Sequence, residues 1–315
     1  MRILLVGAGA IGGYFGARLL AAGRDVTFLV RARRAAELMK TGLMVKSRKG
    51  DLALPPPPTV AADAIKAPFD LVLVSCKAFD LAAAMESFAP AVGPSTAILP
   101  LLNGMGHLDA LAARFGKEAV LGGQCAISTV LDGEGRVLHL NDFHLLTFGE
   151  LDGARSARAG AIAADFANAG FDGGLSESIL QEMWEKWVFI ATAAGITCLM
   201  RAAVGDIVAA GATDLTLALF NEIAAIAAAQ GFAPRPAAAE RGRTLLTQAG
   251  SPFTASMLRD VEGGRPLEAD HMLGDLLKRG GDRPGGYPML GIAYAHLKAY
   301  EARQSREGGQ QPGKS

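Results

Sequence analysis

Neither sign of charge predominates in this sequence: 31 Lys and Arg stand against 31 Asp and Glu. A uniform field that would hold nucleic acid or an anionic membrane needs a surplus, so neither partner is expected. Cysteine is scarce, with Cys76, Cys125 and Cys198 far apart. No disulfide framework or metal-ligand spacing is visible, which favours a reducing cytoplasm. Five histidines are present without an HExxH or similar pair, so no metal is assigned. Long apolar runs are lacking too. The charge-free run Trp187–Met200 is shorter than the ~20 residues of a membrane helix and reads as a buried core helix. The opening MRILLVGAGA breaks at Gly7 with no cleavage-type end, so it reads as a strand rather than an export signal. A soluble, cytoplasmic protein is the expectation.

What is present is apolar material for large cores. With 315 residues, 50% of them hydrophobic, the chain should form about two domains. In the first half, short apolar runs alternate with helical patterns: strands at Ile3–Val6, Val26–Val30, Leu71–Ser75 and Ala97–Leu101, and a helix at Ile11–Ala22. Such alternation predicts a parallel sheet covered by helices on both faces. Met44–Leu54 reads as a hairpin turning at Lys49-Gly50, and Pro55–Pro58 as an extended loop. Val137–His139 and Leu145–Phe148 read as late strands, Ala157–Ala169 as a helix and Phe171–Leu175 as a brief strand. After Glu177 the periodicity is helical, clearest at Thr213–Gln230, Ala237–Thr247, Thr254–Val261 and Leu267–Arg279. The division expected is therefore 1–174, 175–303 and a disordered tail over 304–315, whose composition is Gly, Gln and charge. Long apolar faces in the helical half make a homodimer an expectation.

GAGAIG, Gly7 to Gly12, follows the first strand and opens the first helix, the context in which G-x-G-x-x-G means dinucleotide binding. Gly7 permits the tight turn, Gly9 the approach of a pyrophosphate, and Gly12 close helix–strand packing. Ala10 and Ile11 open the helix whose N-terminal amides face the phosphates. At the end of the second strand, where NAD-binding domains carry an acid, the sequence reads FLVRARR. Arg31 there suits a 2′-phosphate, so the cofactor expected is NADP(H). Arg33 and Arg34 read as a solvated basic helix start. Lys77, in SCKAFD, follows a strand at its carboxyl end, where ligands of such sheets bind. It is either a cofactor contact or a surface lysine. Asn103, in LLNGMG, is either the cap of the next helix or an amide beside the nicotinamide.

With EMWEKW and the late SMLRDVEGGRPLE, these pieces resemble the ketopantoate reductase family from Met1 to about Arg303. The resemblance implies a Rossmann-type doubly wound α/β domain followed by an all-helical domain, with the site in the cleft between them. It implies hydride delivery from NADPH to the C2 carbonyl of a 2-oxo acid. Lys186 matches the family's catalytic acid and Glu268 the glutamate that supports it. Ser256 matches the serine that binds the substrate carboxylate, and Asn103 the asparagine near nicotinamide and substrate. Arg31 and Lys77 match the phosphate contacts. A lysine whose pKa is lowered from about 10.4 donates its proton more readily; burial favours that lowering and a carboxylate opposes it.

One departure bears on substrate. The family carries asparagines four and eight residues after the lysine, where they hold the hydroxyl end of ketopantoate. Here Ile190 and Ala194 occupy those positions. Three readings follow: a ketopantoate or other, more apolar, 2-oxo acid reductase; another hydroxyacid or sugar-acid dehydrogenase of the same plan; and a weakly catalytic NADP(H)-binding sensor. Lys186 and Glu268 argue against the sensor, Ile190 and Ala194 for it. His271, one turn past Glu268, reads as a partly exposed helix histidine, and Trp184 and Trp187 as packing residues.

Overall fold

The charge-poor segments near the N-terminus form a buried parallel sheet. In the computed structural model, which describes residues 1–308, the first unit, Met1–Leu180, contains β1 (Arg2–Val6), α1 (Ala10–Ala21), β2 (Asp25–Leu29), α2 (Ala32–Thr41), β3 (Leu43–Lys46), β4 (Leu52–Leu54), β5 (Thr59–Val60), β6 (Leu71–Val74), α3 (Leu81–Phe88), β7 (Ala97–Pro100), α4 (Gly106–Phe115), β8 (Leu121–Leu131), β9 (Val137–Glu150), α5 (Ala157–Phe166) and β10 (Asp172–Leu175). The parallel sheet runs β5-β2-β1-β6-β7, the order of a Rossmann-type domain. Its central strands are apolar throughout because both faces are covered: Ile3 to Leu5 and Leu71 to Val74 are fully buried.

The cover on one side differs from the expected layer of helices. The hairpin and the late strands form a second sheet, β10-β9-β3-β4 with β8 paired to β9. Helix α1 lies between the two sheets, buried from Gly12 to Leu19. A Cβ on Gly16 would meet Phe28 at 2.4 Å, and one on Gly13 would meet Val137 at 2.8 Å. Small residues on two faces of one helix let both sheets approach it. The two late strands of the sequence reading are one continuous strand, β9, and its long antiparallel partner β8 was not expected.

The second unit begins at Gln181. Its helices are α6 (Ile179–Met200, which starts before the division), α7 (Val204–Ala209), α8 (Thr213–Ala229), α9 (Pro236–Leu246), α10 (Ser256–Glu262), α11 (Asp275–Gly280) and α12 (Pro288–Gly308). Helix α6 is apolar nearly all round because it is enclosed: Ala191 to Cys198 are all buried. A Cβ on Gly195 would touch Leu219 of α8 at 2.8 Å and Ala293 of α12 at 3.4 Å. Glu222 of α8 accepts the first amides of α12, from Met289 at 3.1 Å and Leu290 at 2.9 Å. The expected helix Leu267–Arg279 begins instead with a π-helical turn, Asp270–Gly274, that runs into α11. The expected disordered tail is corrected at its start. Helix α12 continues through Gln304 to Gly308, and residues 309–315 lie outside those described. Among the described residues no helix is long and apolar enough to cross a membrane.

Candidate active site

Four loops at the carboxyl ends of neighbouring parallel strands carry the expected cofactor residues. Across the sheet these are Arg31 after β2, the glycine turn after β1, Lys77 after β6 and Asn103 after β7. Strand spacing of about 4.8 Å sets their separation.

The glycine turn is held from several sides. Gly7 has φ +92°, a conformation glycine adopts without strain. Its amide donates to Leu29 O at 3.0 Å. Ser75 Oγ donates to Val6 O at 2.9 Å and to Gly7 O at 3.2 Å. A Cβ on Gly12 would stand 2.2 Å from both Gly7 O and Ser75 Oγ, so packing requires glycine there. Gly9 differs: it is the N-cap of α1, and a Cβ on it would meet nothing within 4 Å. The protein itself leaves that space open. Ala10 and Ile11, half-buried, form the first turn of α1, which has no acidic side chain. An open approach to helix amides unopposed by a carboxylate fits a dinucleotide pyrophosphate.

The three arginines after β2 have separate fates. Arg31 is 81% exposed and its Nη2 lies 2.7 Å from Asp80 Oδ1. Arg33 is 92% exposed, 3.7 Å from Glu37. Arg34 is not solvated as expected. It is 15% exposed, and it donates to Ala8 O at 3.1 Å and Gly135 O at 3.1 Å, bracing the glycine turn. Lys77 is exposed at the start of a 3-10 turn, Ala78–Asp80. Asn103 is half-buried, and it does not occupy the capping position of α4, which falls on Met105.

In the helical unit, Lys186 lies half-buried on α6, one residue before the fully buried Trp187. Its other neighbour, Glu185, is committed to Arg235, at 2.7 and 2.6 Å. Burial raises that carboxyl's pKa, but the arginine's hydrogen bonds outweigh it and the net shift is downward. Trp187 Nε1 donates to Met272 O at 3.1 Å, and Met272 N donates to Glu268 O at 2.8 Å. Two hydrogen bonds in series thus tie the residue beside Lys186 to the backbone of Glu268. Glu268 is half-buried just before the π-helical turn, a feature that is frequent at functional sites.

Ser256 is the exposed first residue of α10. Arg265 bonds Asp260 Oδ1 at 2.8 Å and Arg259 O at 2.8 Å, closing the Gly263-Gly264 turn and fixing the interval from Ser256 to Glu268. Trp184 and Trp187 pack within the helical unit, Trp184 stacked on Phe232 at 5.9 Å. His271 is half-buried in the π-helical turn.

The positions four and eight after Lys186 are apolar and inside: Ile190 is half-buried and Ala194 is buried. Thr192 and Thr197 do not replace the missing amides. Both are fully buried, and their hydroxyls donate to Val188 O and Ala193 O, each at 2.7 Å. Among the described residues no cluster of three or more His, Cys, Asp or Glu is arranged to hold a metal. Sequence reasoning missed Ser75, Arg34, Asp80 and the Trp187–Met272 bond. Their partners named here lie 26 to 101 positions away, so no local pattern marks them.

Comparison with known proteins bears on family and fold. A family model described as ketopantoate reductase PanE/ApbA matches residues 3–153, and one described as ketopantoate reductase PanE/ApbA C terminal matches residues 178–301. An uncharacterized oxidoreductase of Bacillus subtilis is 38% identical over 305 residues, 96% of this chain and 100% of that one. A 2-dehydropantoate 2-reductase of a Nostoc species is 30% identical over 95% of each chain. Among solved structures, a 2-dehydropantoate 2-reductase from Geobacter metallireducens superimposes with a TM-score of 0.85 at 32% identity, covering 95% of this chain and 99% of that one.

Proposed function

The chain belongs to the ketopantoate reductase family of oxidoreductases, and on that premise we propose that it reduces a 2-oxo acid to the 2-hydroxy acid with NADPH, ketopantoate to pantoate in pantothenate biosynthesis being the leading reaction. The observation that carries this reading is the row of Arg31, Gly7–Gly12, Lys77 and Asn103 along one edge of the parallel sheet. Family members use NAD(P)H. The preference for the 2′-phosphate is proposed from Arg31 and Lys77, whose charges suit it. When bound, NADPH supplies the hydride.

The chain's own residues divide the remaining work. The amides of Gly9, Ala10 and Ile11 take the pyrophosphate, and Asn103 orients the nicotinamide end and the substrate. Ser256 holds the substrate carboxylate. Lys186 donates a proton to the carbonyl oxygen as negative charge develops there, and Glu268 holds its ammonium in position. A cytoplasmic homodimer belongs to the same proposal.

A specific observation favours a second reading of the substrate. With Ile190 and Ala194 in place of asparagines, and Thr192 and Thr197 bonded within their own helix, this stretch of α6 offers no side chain to a substrate hydroxyl. A site that hydrogen-bonds a hydroxyl rejects analogues lacking it by as much as ~10⁴–10⁵-fold, and that discrimination is lost with its donors. A more apolar 2-oxo acid is then the better substrate. The test is NADPH consumption by pure protein with ketopantoate beside a panel of apolar 2-oxo acids. Fastest turnover with ketopantoate supports the first reading and fastest turnover with an apolar acid the second. No turnover with any of them overturns both in favour of a nucleotide-binding sensor.

A further inference from the structure

Arg31 and Asp80 follow different strands. Arg31 lies just past β2 and Asp80 a few residues past β6, and β1 with its glycine turn lies between those strands. Their 2.7 Å ion pair therefore joins the loops on either side of the glycine turn. Asp80 stands at the N-cap of α3, a place where an aspartate ordinarily bonds the helix amides. Its side chain makes no capping bond and is turned to Arg31 instead. The other arginines after β2 are engaged elsewhere, Arg33 with Glu37 and Arg34 with Ala8 O and Gly135 O. The arginine suited to a 2′-phosphate is thus already held by a carboxylate, at 2.7 Å from Asp80.

We propose that Asp80 is a specificity-determining residue that competes with the 2′-phosphate for Arg31 and so limits the preference for NADPH over NADH. This rests on the reading of Arg31 as the 2′-phosphate contact. A phosphate reaching Arg31 must displace the carboxylate or share the guanidinium with a like charge. NADH, which carries a hydroxyl there, leaves the ion pair as it is. The pair is exposed on the arginine side, so the effect is that of a surface ion pair, a few-fold in affinity.

The experiment is fluorescence titration of the full-length protein with NADPH and with NADH, for wild type, Asp80→Asn, Arg31→Ala and the double variant. Asparagine is an equally good N-cap residue, so α3 is retained; thermal unfolding checks this. Asp80→Asn is expected to raise the NADPH-over-NADH affinity ratio about three-fold or more. That rise should vanish when Arg31 is also alanine, since the coupling runs through its guanidinium. An unchanged or lower ratio in Asp80→Asn, with Arg31→Ala weakening NADPH selectively, overturns the role of Asp80 and leaves Arg31's standing. If Arg31→Ala leaves NADPH affinity intact, the underlying reading falls and the inference with it.

Discussion

The two units place their candidate site residues by opposite means. In the first, position comes from the backbone. A residue just past a parallel strand lies at the sheet edge whatever its side chain, and the turn after β1 works because side chains are missing at Gly7, Gly9 and Gly12. In the second, position comes from side chains that bridge segments: Trp187 of α6 to Met272 O in the π-helical turn, Arg235 at the start of α9 to Glu185 of α6 and, more locally, Arg265 to Asp260 across the Gly263-Gly264 turn. Substitutions in the first unit should therefore act through space that must stay empty, and in the second through contacts that must be made.

The largest expected effect is in the second unit. Lys186→Ala should lower turnover by about 10²–10⁴-fold, the range for removing a general acid, while nucleotide affinity, which we assign to the first unit, should change less than about two-fold. Steady-state kinetics beside a nucleotide titration measure both. Turnover retained within a factor of ten would remove Lys186 from the chemistry.

A pair of alanines divides the first unit's glycines. Gly12→Ala forces a Cβ to 2.2 Å from Gly7 O and Ser75 Oγ and should cost about 1–3 kcal/mol of stability as overpacking. Gly9→Ala puts its Cβ where nothing lies within 4 Å. Its unfolding midpoint should match wild type while nucleotide affinity falls more than about ten-fold. Equal destabilisation by the two would mean that Gly9 is structural too.

Trp187→Phe is the corresponding test of a contact. It removes the donor to Met272 O, a fully buried bond, and leaving such an acceptor without its partner costs about 1–3 kcal/mol. Because that bond ties α6 to the turn after Glu268, kcat should fall more than nucleotide affinity. An equal drop in both would point to general loosening instead.

The difference between the units also governs what could be read in advance. The glycine turn, the strand ends and the Arg31 position follow from local pattern, because a parallel sheet fixes what its strand ends do. The arm of β8 and β9 did not. Leu140, Asp142 and Phe143 are exposed, so the middle of β9 lacks the alternation that burial imposes, and its two apolar ends read as separate strands. Arg34 read as solvated because its partners, Ala8 and Gly135, are neighbours only once the sheets are stacked. In the helical unit the periodicity gave helices but no roles. Lys186, Glu268 and Ser256 were singled out by resemblance alone, and the π-helical turn has no local signature.

The smallest effect compares the units by pH. Burial pushes the imidazole of His144, in the first unit, below its ordinary value of 6.5; Asp172 opposes this, while Lys49, Arg18 and His139 add to it. Burial and then Arg201 do the same to His296 in the second unit, against a hydrogen bond that the imidazole donates to the Cys198 backbone. Well above pH 6.5 both histidines are neutral folded or unfolded and contribute no slope. As pH falls below 6.5 the unfolded chain takes up protons first, so stability declines until the folded-state pKa values are passed. Glu150 behaves otherwise. Its pKa is lowered from 4.5, chiefly by the Arg158 hydrogen bond, so its contribution stands above 4.5 and is lost only in stronger acid. Between pH 6.5 and 5 the decline is thus separable from Glu150. Denaturant unfolding across that range should show a shallower decline for His144→Gln and for His296→Gln than for wild type. The larger flattening identifies the unit whose imidazole yields first to acid. A double variant that declines as steeply as wild type would mean that neither histidine carries the linkage.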